Sequence, residues 1–184
     1  RGQKMVDGKD QRPLVSLVMN FTKPTDTKPS LLTFNEVTTF LHEFGHALHG
    51  MFSKCTYGST SMDGVSRDFV ELPSQFMENY ALEKEWLDTW AGHYQTGEKI
   101  PQEYIDKIKK SSNFQAGYAS DRQLSFGMVD MAWHTITEPV TEPLADFEQR
   151  AMGKTEIMPL VKGSAFSPAF GHIFAGGYAA GYYG

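Results

Sequence analysis

Hydrophobic and polar positions change period several times along the chain, and each period predicts an element. PLVSLVMNF, residues 13–21, is short, apolar and β-branched, which is the pattern of a strand. Two prolines among Thr, Asp and Lys make residues 22–30 a loop. Thr33 and Glu36 then stand at capping-box spacing, and Val37, Phe40, Leu41, Phe44 and Leu48 recur at helical spacing. Together they predict a helix over Phe34–Met51, closing near Gly50. TYGSTSMDGVS, residues 56–66, is small, polar and glycine-bearing; it predicts an edge strand running on into a loop. That loop has two readings, a plain connection and a flap over a bound ligand.

A second helix is predicted over 68–82, with Phe69, Leu72, Phe76 and Tyr80 on one side. Pro73 must lie in its first turn or kink it, because proline lacks the N–H that a helix interior uses. Further helices are predicted over 84–94, 101–113 (Tyr104, Ile105 and Ile108 inward), 121–137 (Ser120 and Gln123 as a capping box) and 145–152. The class is mainly α.

Composition narrows the field. A chain of 184 residues that is 40% hydrophobic, with 17 glycines besides, can bury a core, which excludes a disordered tail or a fibrous repeat. With 17 basic against 22 acidic residues and no basic stripe, a nucleic-acid partner is not expected. Cys55 is the single cysteine, so no internal disulfide forms, which fits a reducing compartment. No apolar run approaches the roughly 18 residues of a membrane span, and no signal peptide opens the chain. A cytoplasmic protein without a membrane partner is the expectation. Arg1 stands in place of an initiator methionine and Gly184 ends a Gly- and Tyr-rich run. These ends suggest that residues 1–184 are one fragment of a longer protein, whose remainder would be a partner.

The chemistry is concentrated on the first long helix, in His42-Glu43-Phe44-Gly45-His46. Four residues advance a helix by about 400°, so both imidazoles lie on one face, one turn apart. That spacing lets them share one Zn²⁺, while Glu43 can act as general base on a water. A catalytic zinc needs a third protein ligand. Gly at position 49 and His at 52 would mark one branch of such proteins, but His49 and Phe52 stand there, so a carboxylate from a nearby helix is expected instead. Glu71, Glu78, Glu83 and Glu85 are the candidates. Glu71 is preferred, because it opens the second helix directly after the loop and that helix can fold back against the first. Glu78, seven residues on and on the same face, can hold a ligating imidazole by its other ring nitrogen; a solvated helix charge is the alternative. His49 has two readings, support for the ligands and an ordinary satisfied polar contact.

Three stretches, LLTFNEVTTFLHEFGHALHG, RDFVELPSQFMENYAL and FGHIFAGGYAAGYYG, resemble the zinc metallopeptidase family that includes thimet oligopeptidase, oligopeptidase A and bacterial peptidyl-dipeptidase. The resemblance runs along essentially the whole chain. It implies a helical zincin-type catalytic region in which the HExxH helix packs on a second ligand-bearing helix, with one or two short strands near the site. It implies one Zn²⁺ per chain on His42, His46 and Glu71, with Glu43 as general base and short peptides as substrates. It also implies that His172 and Tyr178 bind substrate and the developing oxyanion. A further family tyrosine would fall one position beyond Gly184. The HIFAGGYAAGYYG form suggests release of C-terminal dipeptides. The alternatives are internal cleavage of short peptides and a zinc-binding fragment inactive in isolation. A purely structural zinc would usually close with four ligands, often cysteines, and Cys55 has no partner cysteine.

Overall fold

A computed structural model describes residues 4–159 and 161–183. The fold is mainly α and divides into two compact units, Arg1–Ser112 and Asn113–Gly184.

The first unit opens with an antiparallel hairpin, β1 (Lys4–Val6) and β2 (Lys9–Gln11), in which Met5 faces Asp10. Its turn is Asp7-Gly8, with φ of 50° and 73°. Both positive angles are what a type I′ turn requires, and Asp-Gly is its usual sequence. Residues 13–21, expected as a strand, form none. Residues 17–21 alternate between half-buried and exposed positions as a strand would, but among the described residues no second strand pairs with them. Residues 56–66 likewise form two 3-10 turns, Gly58–Thr60 and Met62–Gly64, in place of an edge strand.

Helix α1 spans Phe34–Met51, as the spacing predicts, and its capping box is closed. Glu36 N–H donates to Thr33 Oγ1 at 3.3 Å, and Thr33 N–H donates to Glu36 Oε2 at 2.7 Å. Glu36 Oε1 also accepts the N–H of Thr22 at 2.5 Å and its hydroxyl at 2.8 Å, which ties the preceding loop to the helix start. These bonds, the Thr33 N–H foremost, then Thr22, lower the Glu36 carboxyl from 4.5 to about 2. Because the folded value is the lower one, this support of the helix start is fully present above pH 4.5. It is lost as pH falls through about 2. A carboxyl-detected NMR titration is expected to find the Glu36 midpoint near 2, and a midpoint near 4.5 would mean the box is open in solution.

Helix α2 spans Leu72–Glu78 and tightens into a 3-10 turn, Asn79–Leu82. It is shorter than the expected 68–82 because Pro73, in its first turn, has no N–H to bond the Phe69 carbonyl, which takes the Leu72 N–H at 3.0 Å instead. Helices α3 (Lys84–Trp90) and α4 (Gln102–Ser111) follow, burying Leu87, Ala91 and Ile105 against Leu82, Trp86 and Ile100. Helix α3 stops four residues short of expectation, where Ala91 turns extended before Gly92. Tyr104 is exposed, not inward as expected.

The second unit is built on α5 (Ala116–His134) and α6 (Leu144–Met152). Helix α5 starts five residues earlier than expected, after Gln115 in the left-handed conformation, so Ser120 is interior and caps nothing. Val129, Ala151, Met152 and Ile173 form the core, with Trp133, Phe166, Phe170 and Tyr182 packed against it. The chain then proceeds through 3-10 turns at Ser167–Ala169 and Gly171–Ile173.

Candidate metal centre

Close packing of α1 on α2 builds the site. Gly45 is buried, and a Cβ there would meet the Pro73 carbonyl oxygen at 2.5 Å and Ser74 Cα at 2.6 Å, so only glycine allows this approach. The contact brings Glu71, the residue preceding α2, beneath the two imidazoles of α1. Glu71 does not cap the helix it precedes. Its Oε2 lies 3.2 Å from His42 Nε2 and 3.1 Å from His46 Nε2, and it accepts the Ser74 hydroxyl at 2.7 Å.

On the far side of His42, Glu78 Oε1 lies 2.7 Å from Nδ1. A carboxylate only accepts, so Nδ1 donates to Glu78, and a cation between His42 and Glu71 would take the Nε2 lone pair. The His42 and His46 rings are 5.0 Å apart and nearly perpendicular, at 86°.

This donor set suits a metal ion. One ligand atom from each of His42, His46 and Glu71 lies within 4.8 Å of the others. Zinc–donor bonds of 2.0–2.1 Å at tetrahedral angles place donors about 3.3–3.4 Å apart, close to the 3.1 and 3.2 Å seen here. Acceptor atoms at that distance repel unless protons or a cation stand between them, and one divalent ion serves all three. The side chains are 26%, 25% and 29% exposed, so the site is open to solvent. Glu43 is half-buried on α1 and outside the converging set.

His172 and Tyr178 belong to the second unit. His172 is exposed within Gly171–Ile173, its ring 5.8 Å from that of Tyr178 and 5.7 Å from that of Phe170. The nearby glycines shape the chain more than they admit neighbours: Gly176 and Gly177 have φ of 75° and 85°. A Cβ at Gly171 would meet nothing within 4 Å.

His49 Nδ1 is buried without a hydrogen-bond partner among the described residues, so that nitrogen makes no satisfied polar contact there. Ser74 is a supporting residue that the sequence reading does not single out, although its position three residues after Glu71 is the spacing that lets it reach back. No helix among the described residues is long and apolar enough to cross a membrane.

A family model described as Peptidase family M3 matches residues 1–184. The chain is 44% identical to oligopeptidase A of Escherichia coli (strain K12) over 186 residues, covering 98% of this chain and 27% of that protein. It is 46% identical over 173 residues to the organellar oligopeptidase A, chloroplastic/mitochondrial, of Arabidopsis thaliana, covering 93% of this chain and 22% of the relative. It is 41% identical over 176 residues to dipeptidyl carboxypeptidase of Salmonella typhimurium, covering 95% of this chain and 26% of the relative. The chain therefore spans about a quarter of the length of the curated relatives it matches.

Proposed function

The chain belongs to peptidase family M3, and from that premise we propose that residues 1–184 are the zinc-binding catalytic segment of a longer peptidase that hydrolyses short peptides. The observation that carries this reading is the convergence of His42 Nε2, His46 Nε2 and Glu71 Oε2 beside a general-base candidate one residue from the first histidine. When bound, zinc would polarise the scissile carbonyl and lower the pKa of a water towards 7.

The chain's own residues do the rest. Glu78 keeps the proton on His42 Nδ1 and so keeps Nε2 available as a ligand. Ser74 holds Glu71 Oε2 towards both imidazoles. Glu43 accepts a proton from the attacking water as its oxygen bonds to the carbonyl carbon. It returns that proton to the leaving amine as the C–N bond breaks. His172 and Tyr178 take the role of donors to substrate and to the developing negative charge, on the resemblance of FGHIFAGGYAAG to the family's motif.

Release of C-terminal dipeptides is the first reading of specificity, and internal cleavage is the second, favoured by the similarity to proteins named oligopeptidase A. A ladder of dipeptide products from a defined octapeptide supports the first; two internal fragments support the second.

The metal assignment is tested by zinc stoichiometry on the purified chain, measured by elemental mass spectrometry. Near one zinc per chain is expected, with loss in Glu71→Ala and an affinity about 10–100-fold weaker in Glu78→Ala. Zinc retained in full by Glu71→Ala would overturn the three-ligand assignment.

A further inference from the structure

Asp130 reads in the sequence as an ordinary helix charge, yet it is completely buried. Its Oδ1 accepts the N–H of Ala180 at 2.9 Å, and its Oδ2 accepts the N–H of Tyr182 at 3.1 Å. His134 Nδ1 lies 2.9 Å from Oδ1 and 2.8 Å from the Asp130 carbonyl oxygen. Both neighbours are acceptors, so Nδ1 carries the proton and donates. A buried carboxylate is tolerated when its lone pairs are satisfied. Here two of the three donors are main-chain amides 50 and 52 residues away.

Those amides belong to the turn that follows Tyr178, whose carbonyl accepts the N–H of Gly181 at 2.8 Å. Ala180 within it has φ of 54°, a left-handed conformation that a residue with a Cβ adopts only when its surroundings impose it. Asp130 grips the chain at this residue and again two residues on.

We propose that Asp130 is the positioning residue of Tyr178. Its carboxylate, oriented by His134, holds the turn after Tyr178 in the one form that presents the phenol beside His172. This inference rests on the donor role proposed for Tyr178. Glu148 is a second buried carboxylate with a similar bond pattern: it accepts the N–H groups of Phe166 at 2.9 Å and Ser167 at 2.6 Å. It grips the chain well before Tyr178 and so serves as a comparison.

The test uses the intact peptidase carrying Asp130→Asn, Tyr178→Phe, both together, and Glu148→Gln. Asparagine keeps the shape of Asp130 but turns an amide NH₂ towards one of the two loop N–H groups. Tyr178→Phe is expected to lower kcat roughly 10²–10³-fold. Asp130→Asn is expected to lower kcat about 10²-fold with KM little changed, since misplacing a catalytic group by about 1 Å has that effect. If Asp130 acts through Tyr178, Asp130→Asn adds little in the Tyr178→Phe background. Glu148→Gln lowers thermal stability, and what it takes from kcat multiplies with Tyr178→Phe.

Effects of Asp130→Asn and Tyr178→Phe that multiply, or an unchanged kcat in Asp130→Asn, overturn the positioning role. An unchanged kcat in Tyr178→Phe overturns the role of Tyr178 itself, and the positioning role with it. Should Asp130→Asn fail to fold, amide exchange in the unaltered enzyme decides. Slow exchange at Ala180 and Tyr182 supports the grip, and exchange at open-loop rates overturns it.

Discussion

Glu43→Gln in the intact peptidase is expected to lower kcat by roughly 10²–10⁴-fold, the usual contribution of a general acid–base group, while zinc content stays at the parent level. The two halves of this result have separate causes. Glu43 is one residue from His42, about 100° around the helix, and none of its atoms belongs to the converging set of His42, His46 and Glu71. Glutamine preserves volume and polarity there but cannot take a proton from water and return it to the amine. Peptide turnover followed by chromatography, with zinc measured on the same sample, reads both. Activity within a few-fold of the parent, with metal bound, would remove Glu43 from the mechanism.

Gly45→Ala is the second large effect, although the residue carries no chemistry. A Cβ there would lie 2.5 Å from the Pro73 oxygen, 2.6 Å from Ser74 Cα and 2.9 Å from the Pro73 carbonyl carbon. All three are main-chain atoms, so no rotamer change relieves the clash and α2 must move away from α1. Overpacking of this kind costs about 1–3 kcal/mol. Glu71 and Glu78 move with α2 while His42 and His46 stay on α1, so the 3.1 and 3.2 Å approaches are lost. Denaturant unfolding is expected to show that loss of stability. Zinc affinity is expected to fall by at least the roughly 10–100-fold typical of losing a ligand's supporting group. Parent-like zinc binding would mean the helices tolerate the methyl, and that the close approach does not set the ligand geometry.

What was legible in the sequence was local. The Thr33–Glu36 box and the period of Val37, Leu41, Phe44 and Leu48 place α1 at its observed bounds, because every bond involved spans three or four residues. The Asp7-Gly8 hairpin was not read from the sequence, although its two positive φ angles suit those two residues. Residues 13–21 mislead because a short apolar, β-branched run says nothing of whether another strand pairs with it. The start of α5 misleads because Gln115 takes a left-handed angle that no nearby residue announces, while Ser120 carries a capping signature inside the helix.

The same division separates the site residues. His42, Glu43 and His46 follow from helical geometry alone, because their relative placement is fixed by about 1.5 Å of rise and 100° of rotation per residue. Glu71 was one of four candidate carboxylates by spacing, and the approach of α2 at Gly45 is what turns it towards both imidazoles. Glu78, 36 residues from His42, was an even choice between buttress and surface charge until the two helices were packed. Asp130 and Glu148 gave no sign at all, since a buried carboxylate is told from an exposed one by which main-chain N–H groups reach it, here from 18 to 52 residues away. Sequence by itself determined that these helices form and that two imidazoles share one face of α1. Only tertiary structure decided which distant carboxylates meet those groups, because that depends on how closely two backbones can approach.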